Sequence, residues 1–144
     1  DTNTGGWKNS ELRTYLNSTI YESIPSDIQN VISETKVVSS YKTTTFLIVE
    51  SSDKLYLFTS KEIFGEAKGD VLTDQTRQLD YYKNNGVTLN DGKFAIKQYN
   101  GANSSMWLRS SNGTLVFTAI DSAGNWNNFE ASTKVGISPA FRIA

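Results

Sequence analysis

Apolar residues recur every four positions early in the chain and every two positions later, which divides a helical start from a strand-rich remainder. Leu12, Leu16, Ile20 and Ile24 form one stripe with Tyr15 beside them, the spacing of an amphipathic helix. Asn9 or Ser10 supplies an N-cap. Pro25 ends the run, because the residue before a proline resists helical geometry. Ser26-Asp27-Ile28-Gln29 has the form of a capping box, with Ile28, Val31 and Ile32 as the apolar face of a second short helix. Trp7, just ahead of the first helix, is expected to anchor the core.

Period two begins at Lys36-Val37-Val38-Ser39-Ser40-Tyr41, read as a strand. The apolar runs 46–49 and 55–58 flank Ser51-Ser52-Asp53-Lys54, the pattern of a hairpin. Residues 60–64 read as a helical turn closed by Gly65, and residues 66–75 as a polar surface loop. Leu79, Tyr81 and Tyr82 mark a third helix over about residues 74–85, stopped by Asn85-Gly86 with the glycine in the left-handed position. Asp91-Gly92, Asn100-Gly101 and Asn112-Gly113 punctuate the second half of the chain as turns. Strands are expected at 93–99 and 105–109. Residues 115–121 and 126–132 should pair across Ser122-Ala123-Gly124-Asn125, and 136–143 should close the sheet. Helices first and strands later predict an α+β fold with antiparallel sheet.

The chain has 144 residues, no internal repeat and no dividing linker, so one domain spanning 1–144 is expected, cut from a larger modular protein. Hydrophobic residues make up 38% and aromatic residues 12%, enough for a core. Net charge is −1 and the basic residues are scattered, so no basic stripe for nucleic acid exists. No apolar run approaches the roughly 18 residues of a membrane span. Ser (17), Thr (15) and Asn (13) outnumber the 29 charged residues, a surface suited to neutral polar partners such as sugars or peptides. Cysteine and histidine are both absent. That removes disulfides, thiolate nucleophiles, imidazole bases, Ser-His-Asp triads and His or Cys metal sites.

Gly6-Trp7 followed by Ser10-Glu11-Leu12-Arg13-Thr14-Tyr15-Leu16-Asn17 resembles the opening of a bacterial domain family of unknown function. That family is frequent in gut Firmicutes, in prophages and in modular surface proteins. Leu55-Tyr56-Leu57-Phe58-Thr59-Ser60-Lys61-Glu62-Ile63, Trp107-Leu108-Arg109-Ser110 and Gly136-Ile137-Ser138-Pro139-Ala140-Phe141-Arg142-Ile143 fit the same pattern in the same order. The tail is similar, more distantly, to the C-type-lectin-like fold of formylglycine-generating enzymes and of phage receptor-binding proteins. This resemblance implies early helices, a twisted antiparallel core and a ligand face built from loops near the C-terminal hairpin. The enzymes' cysteines are missing, so their activity is not implied. The Glu-Pro-Asn and Gln-Pro-Asp calcium motifs of sugar-binding lectins are also missing. Asn125-Trp126-Asn127-Asn128 is similar to the Trp-Asn-Asp half of such a site, with Asn128 in place of the aspartate.

These readings converge on a non-catalytic extracellular or cell-surface recognition module of a Gram-positive bacterium. Its partner would be a glycan or a surface protein, with neither nucleic acid nor membrane insertion involved. The expected ligand residues are Asn125, Trp126, Asn127 and Asn128, with Asn103 and Arg109 nearby. An exposed Trp can stack on a sugar ring while flanking amides bond its hydroxyls. The opposing expectations are a Trp126 packed inward opposite Ile120, asparagines that merely form turns, and an Arg109 that braces the tail. Trp107, Phe141 and Ile143 are expected in the core, with Arg142 outside. No cofactor is expected. Glu66, Asp70 and Asp74 could offer oxygens to calcium, but in a run without EF-hand spacing. The carboxylate pairs Glu62/Glu66 and Asp70/Asp74 read as solvated loop charges rather than a glycosidase pair. A structural spacer without ligand is the alternative, and a carbohydrate-active enzyme the third reading.

Overall fold

A computed structural model describes residues 4–67 and 76–144. Among the described residues the fold is mixed α+β, with short helices and several antiparallel sheets. Helix α1 (Glu11–Tyr15) passes without a break through a π segment (Leu16–Ile20) into α2 (Tyr21–Ser23), so the apolar stripe does mark one helix. Ser10 caps it, accepting from the Arg13 amide at 3.1 Å. The π segment contains Asn17, whose amide makes four bonds. It donates to Arg13 O (3.1 Å) and Leu55 O (2.8 Å) and accepts from the backbone of Lys54 (2.7 Å) and Leu55 (3.0 Å). The next helix, α3 (Ser26–Gln29), lacks the expected capping box, because Gln29 Nε2 turns back to Ile24 O at 2.6 Å. Ile32 is not on its face; it leaves to strand β1 (Ile32–Ser33).

The first hairpin differs from expectation by one segment. Strands β2 (Thr35–Lys42) and β3 (Phe46–Asp53) pair in register from Thr35↔Asp53 to Lys42↔Phe46, so the turn is Thr43-Thr44-Thr45 and not Ser51–Lys54. Burial explains the choice. Leu55 and Leu57 are each 1% exposed and run into the core, where Tyr56 bridges Ala140. Helix α4 (Ser60–Phe64) carries the reciprocal capping box that the earlier helix lacks, made by Thr59 and Glu62, and Gly65 ends it in the left-handed conformation. Helix α5 (Asp80–Asn84) is shorter than the expected third helix, whose residues 74 and 75 lie outside the described ones. Gly86 terminates it at φ 68° as expected. Residues 93–99 split into a 3-10 turn (Lys93–Ala95) and β4 (Lys97–Tyr99), which pairs with β5 (Ala102–Ser104).

Strands β6 (Met106–Ser111), β7 (Val116–Ile120) and β8 (Trp126–Glu130) form the three-stranded sheet at the centre of the molecule. Every residue of β6 is buried, because the sheet is covered on both faces. One face carries Trp107, Phe117 and Phe129 into the cluster of Trp7, Leu16 and Leu57. The other carries Ile120 and Trp126 against Ile63, Phe64 and Tyr82. The tail is not one closing strand. Gly136 lies parallel beside Met106, Ala140 opposes Tyr56, and only β9 (Arg142–Ile143) pairs with β1. Phe141 is 41% and Ile143 70% exposed, which corrects their expected burial: β9 pairs only with a two-residue strand at the margin of the fold. No helix among the described residues is long and apolar enough to cross a membrane.

Candidate functional site

The hairpin β7–β8 was expected to face solvent, and the structure ties it down. Asp121 Oδ1 accepts from the amides of Ala123 and Asn125, each at 2.9 Å, so Asn125 belongs to a turn closed from within. The buried Gly124 lies against Gly92, where a Cβ on Gly124 would fall 2.2 Å from the Gly92 carbonyl oxygen. Trp126 sits across from Ile120 and is half-buried against the second cluster. Its ring is therefore partly covered. Asn127 Oδ1 accepts the Asn128 amide at 2.8 Å, and Asn128 Oδ1 accepts from Asn112 Nδ2 at 3.1 Å. Asn103 is exposed on the separate β4–β5 hairpin, where it accepts from Gln98 at 3.2 Å. The six expected ligand residues thus lie on the β7–β8 hairpin, on the β4–β5 hairpin and, for Arg109, on strand β6.

Arg109 shows the sharpest departure from a ligand role. A β-bulge between Trp107 and Ser111 turns it inward, where it is 2% exposed. Its guanidinium donates to Val38 O (3.2 Å) and Leu57 O and forks onto Glu62 at 2.8 and 3.3 Å. Glu62 also accepts the Thr59 amide at 2.8 Å, so one carboxylate joins the helix cap to the central sheet. This excludes it from acting with Glu66 as a free acid–base pair. Arg109 is a brace between β2, β6 and α4, because planar forked donors match a carboxylate and two carbonyls at once. Asp70 and Asp74 lie outside the described residues, and among those described no group of three or more acidic side chains could hold a metal ion.

What the structure does gather is a cleft of about 490 Å³ between the N-terminal segment and the C-terminal strands. That size falls within the roughly 300–1,000 Å³ of small-ligand sites. Leu12, Phe117, Val135 and Ile137 give it accessible apolar walls, with Trp7 and Trp107 behind. Thr4, Asn9, Ser10 and Glu11 form a polar side. The N-terminal wall is held rigidly. Trp7 Nε1 donates to Asp53 Oδ2 at 2.8 Å, and Arg13 Nε and Ser51 Oγ also bond this fully buried carboxylate. Gly6 has φ 59° and passes Tyr41 so closely that a Cβ would meet its side chain at 2.8 Å.

The segments lining the cleft overlap the blocks that carried the resemblance: Gly6-Trp7, Ser10-Glu11-Leu12, Trp107-Leu108 and Gly136-Ile137. The family model described as a domain of unknown function, DUF6273, matches residues 1–144. The chain belongs to that family. No curated protein and no solved structure matches it. For this family member the cleft was not visible in the sequence, because its walls come from residues 4–12, Leu57 and residues 107–137. The one signal in the sequence was that the two tryptophans lining it, Trp7 and Trp107, lie in two of the blocks that carried the resemblance.

Proposed function

We propose that this domain is a non-catalytic recognition module of C-type-lectin-like topology, part of a bacterial surface or secreted protein. Its partner, a glycan or a protein, is held in the cleft beside Glu11 rather than on the asparagine hairpin. The observation that carries the reading is the cleft itself, with an apolar wall of Leu12, Phe117, Val135 and Ile137 facing a polar one. Such a site orients a ligand that has one apolar and one hydrogen-bonding side. Binding is favoured over catalysis because, among the described residues, Glu11 is the only charged one on the lining. Glycoside hydrolysis generally uses two carboxyl groups, roughly 5–9.5 Å apart. The buried Asp53 and the half-buried Glu62 are each held by an arginine.

Ala131 lies on the lining, and a phenylalanine there would fill the cleft. The intact domain and Ala131→Phe are compared on arrays of glycans and of surface-protein segments. The variant should keep its melting temperature within about 4 °C, a shift of under about 1 kcal/mol for a chain of this size, and lose its signals. Equal binding by both proteins would remove the cleft from consideration. A second reading, a spacer without ligand, is favoured by the internal bonding of Asn127 and Asn128 along the edge strand β8. It requires that neither array gives a signal with the intact domain.

A further inference from the structure

Val135 and Ile137 line the cleft on either side of Gly136. The Gly136 amide donates to Ser105 O at 3.0 Å, and its carbonyl accepts from the Trp107 amide at 2.9 Å. Gly136 thereby makes a parallel bridge to Met106 at the margin of the central sheet. Successive residues of an extended segment direct their backbone polar groups to opposite edges. Val135 and Ile137 therefore turn their N–H and C=O groups away from β6, and neither makes a backbone hydrogen bond among the described residues. Their side chains line the cleft, on the face shared with Trp107 and Phe117. An edge with unpaired N–H and C=O groups, next to an apolar hole, is the arrangement that accepts an added strand.

The chemistry of the lining separates a peptide from a sugar. A pyranose stacks best on an open aromatic face. Trp107 is only 9% exposed and meets Phe117 and Phe129 edge-on, with centroids 6.4 and 6.0 Å away. Much of the accessible apolar lining is aliphatic, from Leu12, Val135 and Ile137, which suits a branched or straight apolar side chain. Among the described residues the single charge on the lining is the exposed Glu11, so the complementary ligand carries a cation there.

We propose that the ligand is an extended peptide segment that adds as a strand along residues 135–137. It inserts one apolar side chain into the cleft and sets a neighbouring basic residue against Glu11. This rests on the cleft being a recognition site, as proposed above. Asn9, Ser10 and Thr4 then face the peptide's polar groups from the opposite side.

A displayed library of random 12-residue peptides is selected on the intact domain, with a glycan array and a sedimentation series run in parallel. The selected peptides should pair an apolar residue with Lys or Arg. The amides of Val135 and Ile137 should exchange at least about tenfold more slowly in the complex, as expected for newly paired backbone. Methylating alternate peptide nitrogens should remove binding. Glu11→Lys should shift selection toward acidic residues, with two- to fivefold weaker binding of the original peptides, about the effect of an exposed charge pair. Peptides that bind without slowing Val135 and Ile137 would overturn strand addition while leaving the cleft as a site. Signals on the glycan array alone, or self-association of the domain alone, would likewise refute the peptide assignment. Silence in all three experiments would remove the recognition reading as well.

Discussion

At Asp53 one carboxylate accepts from Trp7, Arg13 and Ser51, partners up to 46 positions away from it in sequence. Nothing in its local setting, Ser51-Ser52-Asp53-Lys54, distinguishes it from a turn residue. Its burial follows from register: it stands opposite Thr35 at the inner end of the β2–β3 ladder. Trp7 and Trp107 were readable as core because large apolar rings rarely stay in water. The inward turn of Arg109 was not, since it depends on a bulge and on carbonyls at positions 38 and 57. Tyr82 gives a residue-scale prediction. Burial against Ile63 and Phe64, and then the neighbouring Tyr81, hold its phenol above the ordinary tyrosine range. A proton retained longer in the folded state stabilises below the unfolded pKa and is lost as pH rises through the folded one. Stability should therefore fall above about pH 10, where an exposed tyrosine ionises, and Tyr82→Phe should flatten that decline. Urea melts at pH 8 and pH 11 compare the two proteins; parallel declines would assign the effect elsewhere.

Among the elements, the capping motifs show how far local pattern reaches. Ser26-Asp27-Ile28-Gln29 and Thr59-Ser60-Lys61-Glu62 both have the spacing of a capping box, and only the second forms one. The difference is tertiary: Arg109 fixes the Glu62 carboxylate where it also reaches the Thr59 amide. Likewise the β7–β8 hairpin was legible from two apolar runs around a glycine turn, and its strands fall within the expected ranges. Its docking was hidden. Gly124 and Gly92 touch backbone to backbone, and a Cβ on Gly92 would lie 1.7 Å from the Gly124 oxygen. Gly124 also has φ 89°, which an L side chain resists. Gly124→Ala should then destabilise by about 1–3 kcal/mol, as overpacking does. Gly101→Ala adds only the backbone strain, because nothing lies within 4 Å of its Cβ position. Thermal melts of both decide the matter: an equal loss would show that left-handed strain, not the Gly92 contact, is the cost.

On the scale of the molecule, the sheet β6–β7–β8 separates two apolar clusters and belongs to both. Because Trp107 and Leu108 are neighbours that serve opposite clusters, neither cluster can open alone without disturbing β6. The domain should unfold as one unit. Amide signals of Leu16 in the first cluster and Val87 in the second should vanish at one urea midpoint. Midpoints about 1 M apart, beyond ordinary fitting error for m-values of roughly 1–3 kcal/mol/M, would mean two separate units. The sequence by itself determined the α+β class, the first helix, the C-terminal hairpin and the burial of Trp7 and Trp107. These follow from periodicity, turn chemistry and ring size, all of which act within a few residues. Only the tertiary structure decided that β2 pairs with β3 at the Thr43-Thr44-Thr45 turn, that Arg109 bonds inward and Asn128 pairs with Asn112, and that a cleft opens beside Glu11. Those outcomes depend on which distant segments compete for the same buried face, and local pattern carries no record of that competition.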